Sequence, residues 1–229
     1  MNCRKSRVAL DELTKIRPRD DILFVKEVPL TDGQPPNLTR YTPIHHENAP
    51  RMCAYIKDAS MKYMVEHEAH PCLVRITLTD ERTMGGIYIP PGDDLPEYAQ
   101  TPMKEGETRL GDFNAAHPEF YDRGQKTAWG TKLFEWQTNN NCEEKGPDYP
   151  THDKGNKLDL IFCKDTIDHM TKIMHNSTIE HSDHTCQSIM IPLRIRPDLL
   201  RQTQIRANYQ KVNIPELREK IEGMKLTSP

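Results

Sequence analysis

Short acidic and amide side chains stand at the ends of apolar runs in two places of the chain. The first place is Gly111-Asp112-Phe113-Asn114, and the second is Ser182-Asp183-His184. Asp112 and Asn114 are two positions apart, so in an extended segment both side chains point to one face. Asp, Asn and His together suit a hard cation and a phosphate. The two motifs therefore predict metal-assisted cleavage of a phosphodiester.

Four acids lie at the ends of predicted strands or just beyond them: Glu27, Asp112, Asp159 and Asp183. Carboxylates that share a site repel one another, and a cation removes that cost. Mg²⁺ prefers oxygen ligands and takes one or two protein carboxylates plus phosphate. We expect Mg²⁺ here, with Mn²⁺ as a possible substitute. Asp159 lies inside an apolar strand, where an acid is costly without a partner, so it is expected to have one.

The acids, together with Asn114 and His184, have side chains that fit particular chemical tasks. Asp112 can polarise a water, and Asn114 can donate to a phosphate oxygen. His184 contacts the scissile phosphate, while Asp159 holds the other ring nitrogen and favours the protonated ring. The metal offsets charge on the transition state.

Simpler interpretations stay open. A single Asp near a strand end is usually a cap or turn residue, and Ser182–Thr185 also fits a polar turn. A zinc site competes, with His181, His184 and Cys186 as ligands and a remote His117 or His152. No CxxC or HExxH motif supports zinc.

Composition indicates a loop-rich globular protein. The 229 residues are 35% hydrophobic, the mean hydropathy is −0.78, and 18 residues are proline. The six cysteines form no CxxC, which favours buried free thiols in a reducing compartment. No apolar run is long enough for a membrane span, and the charged N-terminus lacks the apolar core of a signal peptide. We expect an intracellular protein without a membrane or protein partner.

Charge is unevenly distributed along the chain. The net charge is −3, yet residues 1–19 carry six Lys or Arg against two acids, and residues 192–229 carry eight against four. The middle is therefore strongly acidic. Basic ends around an acidic middle fit a cation site flanked by segments that touch a polyanion, and solvated surface charge fits equally well.

Periodicity predicts short strands and few helices. A helix over 6–17 is capped by Ser6, and strands are expected at 22–25, 52–56, 72–78, 86–89, 157–163 and 188–191. Residues 28–50 are predicted as loop, 92–109 stay open, and 131–136 are predicted as helix. The pattern suggests two packed sheets with helices outside. In the tail, Asn213 and Pro215 begin a predicted amphipathic helix.

Seven segments, in order, resemble the endonuclease/exonuclease/phosphatase superfamily, and most of all the endonuclease domain of non-LTR retrotransposons. They span nearly all of residues 1–191 and are Asn2–Arg7, Asp21–Glu27, Arg51–Ile56, Ile87–Pro91, Gly111–His117, Thr151–Asp159 (without 153 and 154) and Ser182–His184. The resemblance implies a four-layer α/β sandwich of two mixed sheets flanked by helices, over residues 1–193. Residues 194–229 then form a basic linker with the amphipathic helix.

The resemblance also implies roles for single residues. Glu27 is the main Mg²⁺ ligand, helped by Asn2 and Asp183, and Tyr88 lies near the phosphate. Asp112 orients or deprotonates the water, Asn114 and His184 contact the phosphate, and Asp159 orients His184.

Two further expectations follow from comparison with the family pattern. Only Met1 precedes Asn2, so the first strand is expected to be truncated, and the polar segment Glu105–Arg109 is expected to make a weak strand before Asp112.

The implied function is Mg²⁺-dependent nicking of one DNA strand. A non-catalytic nucleic-acid-binding remnant and a phosphomonoesterase of the same fold are the alternatives.

Overall fold

The computed structural model describes residues 1–17, 20–92, 96–121, 126–164, 172–177 (backbone only) and 179–191. The chain divides into two units, Met1–Pro192 and Leu193–Pro229. The predicted linker and tail helix lie outside the described residues and stay predictions.

A three-stranded antiparallel sheet contains β1 (Ile22–Lys26), β2 (Tyr41–His45) and β3 (Met52–Lys57), with β3 in the centre. The predicted strands at 22–25 and 52–56 are confirmed. The loop predicted over 28–50 is wrong in part, because β2 lies within it. Met1–Cys3 form only a single parallel bridge with β1, between Asn2 and Lys26, which agrees with the expected truncated first strand.

A six-stranded mixed sheet has the order β4-β5-β6-β7-β9-β8. Its strands are β4 (Met64–His70), β5 (Leu73–Leu78), β6 (Thr83–Tyr88), β7 (Glu107–Asp112), β8 (Glu143–Glu144) and β9 (Asp159–Lys164). β6 and β7 are parallel, and the other neighbours are antiparallel. A separate pair joins β10 (Lys172–Ser177) to β11 (Cys186–Met190).

Three helices and one 3-10 segment complete the described elements: α1 (Arg7–Ile16), α2 (Glu97–Gln100), α3 (Ala128–Asn140) and the 3-10 segment Asp58–Tyr63. Ser6 caps α1 as predicted, since its hydroxyl accepts from Ala9 N. Thr127 caps α3 by accepting from Gly130 N, so this helix begins earlier than predicted. Among the described residues, no helix has the length and apolarity to cross a bilayer.

Side-chain packing arranges these elements in four layers. Leu10 and Leu13 of α1 pack on the outer face of the three-stranded sheet, and Leu133 and Trp136 of α3 pack on the outer face of the six-stranded sheet. The inner faces meet at Gly86, where an added Cβ would lie 2.2 Å from the Phe24 ring. The protein is therefore a four-layer α/β sandwich, as predicted.

The segment before Asp112 is a central strand, so the expectation of a weak strand is wrong. β7 lies between β6 and β9, and Glu107, Thr108 and Arg109 are buried within it. Arg109 donates twice to Glu107 Oε1, at 2.7 and 3.0 Å, and its guanidinium lies 5.2 Å from the centroid of the Trp136 ring. Paired charges and a cation–π contact thus replace apolar burial in this strand.

Candidate active site

Three predicted site residues occupy one row at the end of the six-stranded sheet. Tyr88 ends β6, Asp112 ends β7 and Asp159 begins β9. The strand register pairs Tyr88 with Asp112, and Asp112 with Asp159. Glu27 follows directly after β1, on the sheet packed opposite. The ends of both sheets therefore aim these side chains at one place.

Gly111 allows this row to form. An added Cβ there would lie 1.8 Å from the backbone oxygen of Ile87 in β6. Only glycine lets β7 approach β6 this closely. The position of Asp112 therefore depends on the residue before it.

His184 lies between two buried carboxylates. Its Nδ1 donates to Asp159 Oδ2 at 2.7 Å, and its Nε2 is 3.6 Å from Asp112 Oδ2. Backbone contacts hold the His184 segment, since residue 184 forms an antiparallel bridge with His152. The structure thus places Asp159 where it orients the ring, as the sequence predicts.

The second oxygen of Asp159 contacts the ammonium of Lys26. Lys26 is buried between the two sheets, on the same side of β1 as Phe24. Burial by itself raises the pKa of Asp159, but Lys26 and His184 together bring that pKa well below its ordinary value. Asp159 is therefore ionised.

Asp112 has the opposite shift. Burial raises its pKa, the Asp159 charge adds to that rise, and Lys26 and His184 oppose it. A carboxylate with a raised pKa is a stronger base once ionised. Two neighbouring acids with pKa values pushed apart suit different tasks in one site.

Glu27 and Tyr88 form a hydrogen-bonded pair across the sheets. The Tyr88 hydroxyl donates to Glu27 Oε1 at 3.1 Å, and burial together with the Glu27 charge raises the pKa of Tyr88. Glu27 has a φ of 46°, in the left-handed region. Such conformations cost free energy and persist where the surrounding structure imposes them.

Both predicted asparagines contact Asp112, Asn2 through its side-chain amide and Asn114 through its backbone N–H. Asn2 Nδ2 donates to Asp112 Oδ2 at 3.4 Å, and Asn114 N donates to Asp112 Oδ1 at 3.1 Å. The Asn2 side-chain oxygen accepts from Arg4 N, and Asn114 Nδ2 donates to Ile89 O. Asn114 also has a φ of 46°. These contacts fix the orientation of both amides.

Asp183 lies on the outer side of His184 and is partly exposed. Its carboxylate is 3.5 Å from His152 Nε2, 3.9 Å from His184 Nε2 and 3.5 Å from Arg4 Nη1. Asp183 Oδ1 is buried without a hydrogen-bond partner. A buried carboxylate oxygen without a donor fits a cation ligand, so the residues present suit a divalent metal.

Asn2, Asn114 and His184 contact or approach Asp112, and Asp159 and Asp183 lie beside His184. Glu27 is linked to this group through Tyr88. The roles of these eight predicted residues stay predictions. Sequence reasoning missed Lys26, although a lysine that ends an apolar run directly before Glu27 was a usable signal. The structure brings together only part of the predicted zinc set. His152 lies against His184, whereas Cys186 packs with Leu10 and Leu13 of α1 and His117 stacks on Phe134.

Comparison with known proteins supports the fold. No protein-family profile and no curated protein matches the chain. The endonuclease domain of TRAS1, a telomere-specific non-LTR retrotransposon, is similar with a TM-score of 0.64 and 17% identity, over 85% of this chain and 97% of that chain. The cytolethal distending toxin from Actinobacillus actinomycetemcomitans matches with a TM-score of 0.45 and 16% identity. The match covers 83% of this chain and 93% of the toxin chain.

The likeness to the TRAS1 endonuclease domain is one of fold. The chain therefore shares the fold of that domain and is a four-layer α/β sandwich, as its sequence motifs predict.

Proposed function

We propose that the protein is a Mg²⁺-dependent endonuclease that nicks one strand of DNA and derives from a non-LTR retrotransposon. The buried arrangement of Asp112, His184 and Asp159 carries the proposal. It lies in a fold shared with a retrotransposon endonuclease domain. An intracellular, nuclear location belongs to the same proposal.

In this proposal Asp112 takes a proton from the attacking water. Its raised pKa makes the ionised carboxylate a better base than an exposed aspartate. His184 Nε2 and Asn114 face the phosphate, while Asp159 fixes the His184 ring through Nδ1. Tyr88 is held beside them by Glu27.

Glu27 and Asp183, with Asn2, would hold the divalent cation. Mg²⁺ there would neutralise charge on the phosphate as the bond to the leaving oxygen breaks. The unpartnered Asp183 Oδ1 supports a ligand role for Asp183. Mn²⁺ has the same preference for oxygen ligands and would substitute.

Conversion of supercoiled plasmid to open circles tests the proposal. Wild-type protein should nick with Mg²⁺ and stop with EDTA. Asp112→Asn should lower the rate at least about 100-fold, because it removes the base while keeping the shape. The control is Asp32→Asn, an exposed position whose φ of 53° asparagine tolerates. Equal nicking by Asp112→Asn and wild type would contradict the assignment.

Lys26 favours one alternative, a nucleic-acid-binding remnant without catalysis. Its ammonium already contacts Asp159, so a cation occupies the carboxylate cluster without metal. DNA binding without Mg²⁺-dependent nicking would support the remnant. Release of inorganic phosphate from a phosphomonoester, without nicking, would instead indicate the phosphatase branch of the fold.

A further inference from the structure

His152 lies beside the proposed nuclease site without a role in it. Backbone hydrogen bonds fix its segment against the residues around His184: Asp153 N donates to Asp183 O at 2.9 Å, and Thr185 N donates to Thr151 O at 2.9 Å. The His152 and His184 rings meet edge to face, with centroids 4.8 Å apart. Two imidazoles are thus held together by main-chain pairing.

The ring nitrogens of both histidines approach the carboxylate of Asp183. His152 Nε2 is 3.5 Å from Asp183 Oδ2, and His184 Nε2 is 3.9 Å from Asp183 Oδ1. One ligand atom from each residue lies within 4.8 Å of the other two. Ligands about 2.0 to 2.1 Å from a tetrahedral zinc are roughly 3.3 Å apart, so a small contraction would close the site.

Each histidine also has a carboxylate behind it, at Nδ1. His184 Nδ1 donates to Asp159 Oδ2 at 2.7 Å, and His152 Nδ1 lies 2.9 Å from Asp153 Oδ1. This carboxylate–histidine arrangement turns each Nε2 away from the Nδ1 carboxylate and raises its basicity. His184 Nε2 lies 3.6 Å from Asp112 Oδ2 and 3.9 Å from Asp183 Oδ1, so carboxylates are its neighbours on that side. His152 Nδ1 also accepts from Lys154 N at 3.1 Å in its other tautomer, and metal binding would select the tautomer that donates to Asp153.

The donor set distinguishes between metals. Two imidazole nitrogens and one carboxylate suit Zn²⁺, whereas Mg²⁺ requires oxygen ligands. Two neighbouring groups compete for these ligands. The Arg4 guanidinium, 3.5 Å from Asp183 Oδ2, is largely exposed and free to leave, and Asp112 Oδ2 lies 3.6 Å from His184 Nε2. Of the six cysteines, only Cys163 is not buried.

We propose that His152, Asp183 and His184 bind one Zn²⁺, and that this ion blocks Mg²⁺-dependent cleavage. Zn²⁺ would take Asp183 and His184 away from the metal and phosphate positions of the nuclease site. The inhibition rests on the proposed function, whereas the binding does not.

Zinc binding is measured on the full-length protein by competition with a chromogenic zinc chelator. Wild type should bind one Zn²⁺, and His152→Gln should bind it at least about tenfold more weakly. His67→Gln, at an exposed position on β4, is the matched control and should bind as wild type does. Millimolar Mg²⁺ should not displace the ion. Equal affinity of His152→Gln and wild type would overturn the proposal.

Thermal melting followed by circular dichroism shows that the variant is folded and gives a second measurement. Zn²⁺ should raise the Tm of wild type and of His67→Gln, because it binds the folded state, but not that of His152→Gln. Co²⁺ as a probe should give visible bands without a thiolate charge-transfer band. A thiolate band that survives in His152→Gln would place the metal on cysteine and reject the site.

Nicking in Mg²⁺ with added Zn²⁺ separates the two proposals. Zn²⁺ should inhibit wild type at lower concentration than His152→Gln. A wild type that binds Zn²⁺ through His152 but never nicks would refute the proposed function and leave the zinc site standing. A wild type that nicks normally with Zn²⁺ bound would refute the inhibition.

Discussion

At the scale of single residues, Lys26 changes the account of how the carboxylates coexist. A cluster of buried acids was expected to need a metal, yet the Lys26 ammonium contacts Asp159 directly. It helps to lower the pKa of Asp159 and opposes the rise that burial causes in the pKa of Asp112. The site is therefore charge-compensated in part before any ion binds. Removing one member of a buried pair is costly because the other charge stays buried.

Lys26→Met should lower the free energy of unfolding by about 3 to 5 kcal/mol, because Asp159 loses its cation. With Asp159→Asn in the same chain, the total cost should be at least about 1 kcal/mol less than the sum of the single costs. Urea unfolding in EDTA measures both quantities. Lys104→Gln, at an exposed lysine, should change little. Strictly additive costs would show that the two residues do not interact.

At the scale of secondary-structure elements, apolar runs and capping residues predicted the elements whose order depends on local sequence. They identified β1, β3, β5, β6, β9 and β11, together with α1 and its Ser6 cap. They did not predict β4, because its side chains are mostly exposed and its pairing with β5 supplies the order. An exposed strand has no buried face, so its sequence lacks the alternating hydrophobic pattern that would predict it.

The polar strand β7 is a central strand that local sequence also failed to predict. Glu107 is buried because Arg109 on its own strand and Arg75 on β5 surround it, and Trp136 of α3 covers Arg109. Arg75 and Trp136 are distant in sequence from Glu107, so local hydropathy cannot reveal that they help to bury this strand. The candidate site was predictable for a different reason, since its residues lie at strand ends within short motifs.

Gly111→Ala tests whether the close approach of β7 to β6 positions the site. The new Cβ would collide with the Ile87 backbone oxygen, so the strands must separate, at a cost of about 3 kcal/mol or more. The rate of nicking should fall as well, because separation of the strands would displace Asp112, the next residue. The measurements are urea unfolding and plasmid nicking at a temperature where the variant stays folded.

The matched control is Gly92→Ala. The nearest heavy atom to an added Cβ there is Pro90 O at 3.9 Å, so this change should cost less than about 0.5 kcal/mol. If Gly111→Ala nicks at the wild-type rate, the position of Asp112 does not depend on this contact.

At the scale of the whole molecule, charge and architecture point to the same end of the protein. Six Lys or Arg lie in residues 1–19, and Asn2 of this segment reaches the site through its bridge to Lys26. Arg4 lies beside Asp183 at the same place. A basic N-terminal segment next to a carboxylate cluster would contact the DNA backbone around a bound cation.

The second basic segment, residues 192–229, gives the last prediction. If its arginines contact phosphates, replacing Arg194, Arg196, Arg201 and Arg206 by Gln should weaken DNA binding. The slope of log affinity against log salt concentration should fall by up to about 3 to 4, since each lost phosphate contact removes about 0.9. Fluorescence anisotropy with a labelled duplex in EDTA measures this without cleavage. Changing Gln202 and Gln204 to Ser, which leaves the charge unaltered, should preserve the slope. An unchanged slope in the arginine variant would mean that the tail charge is solvated surface, and DNA contact would then rest on the N-terminal segment and the site alone.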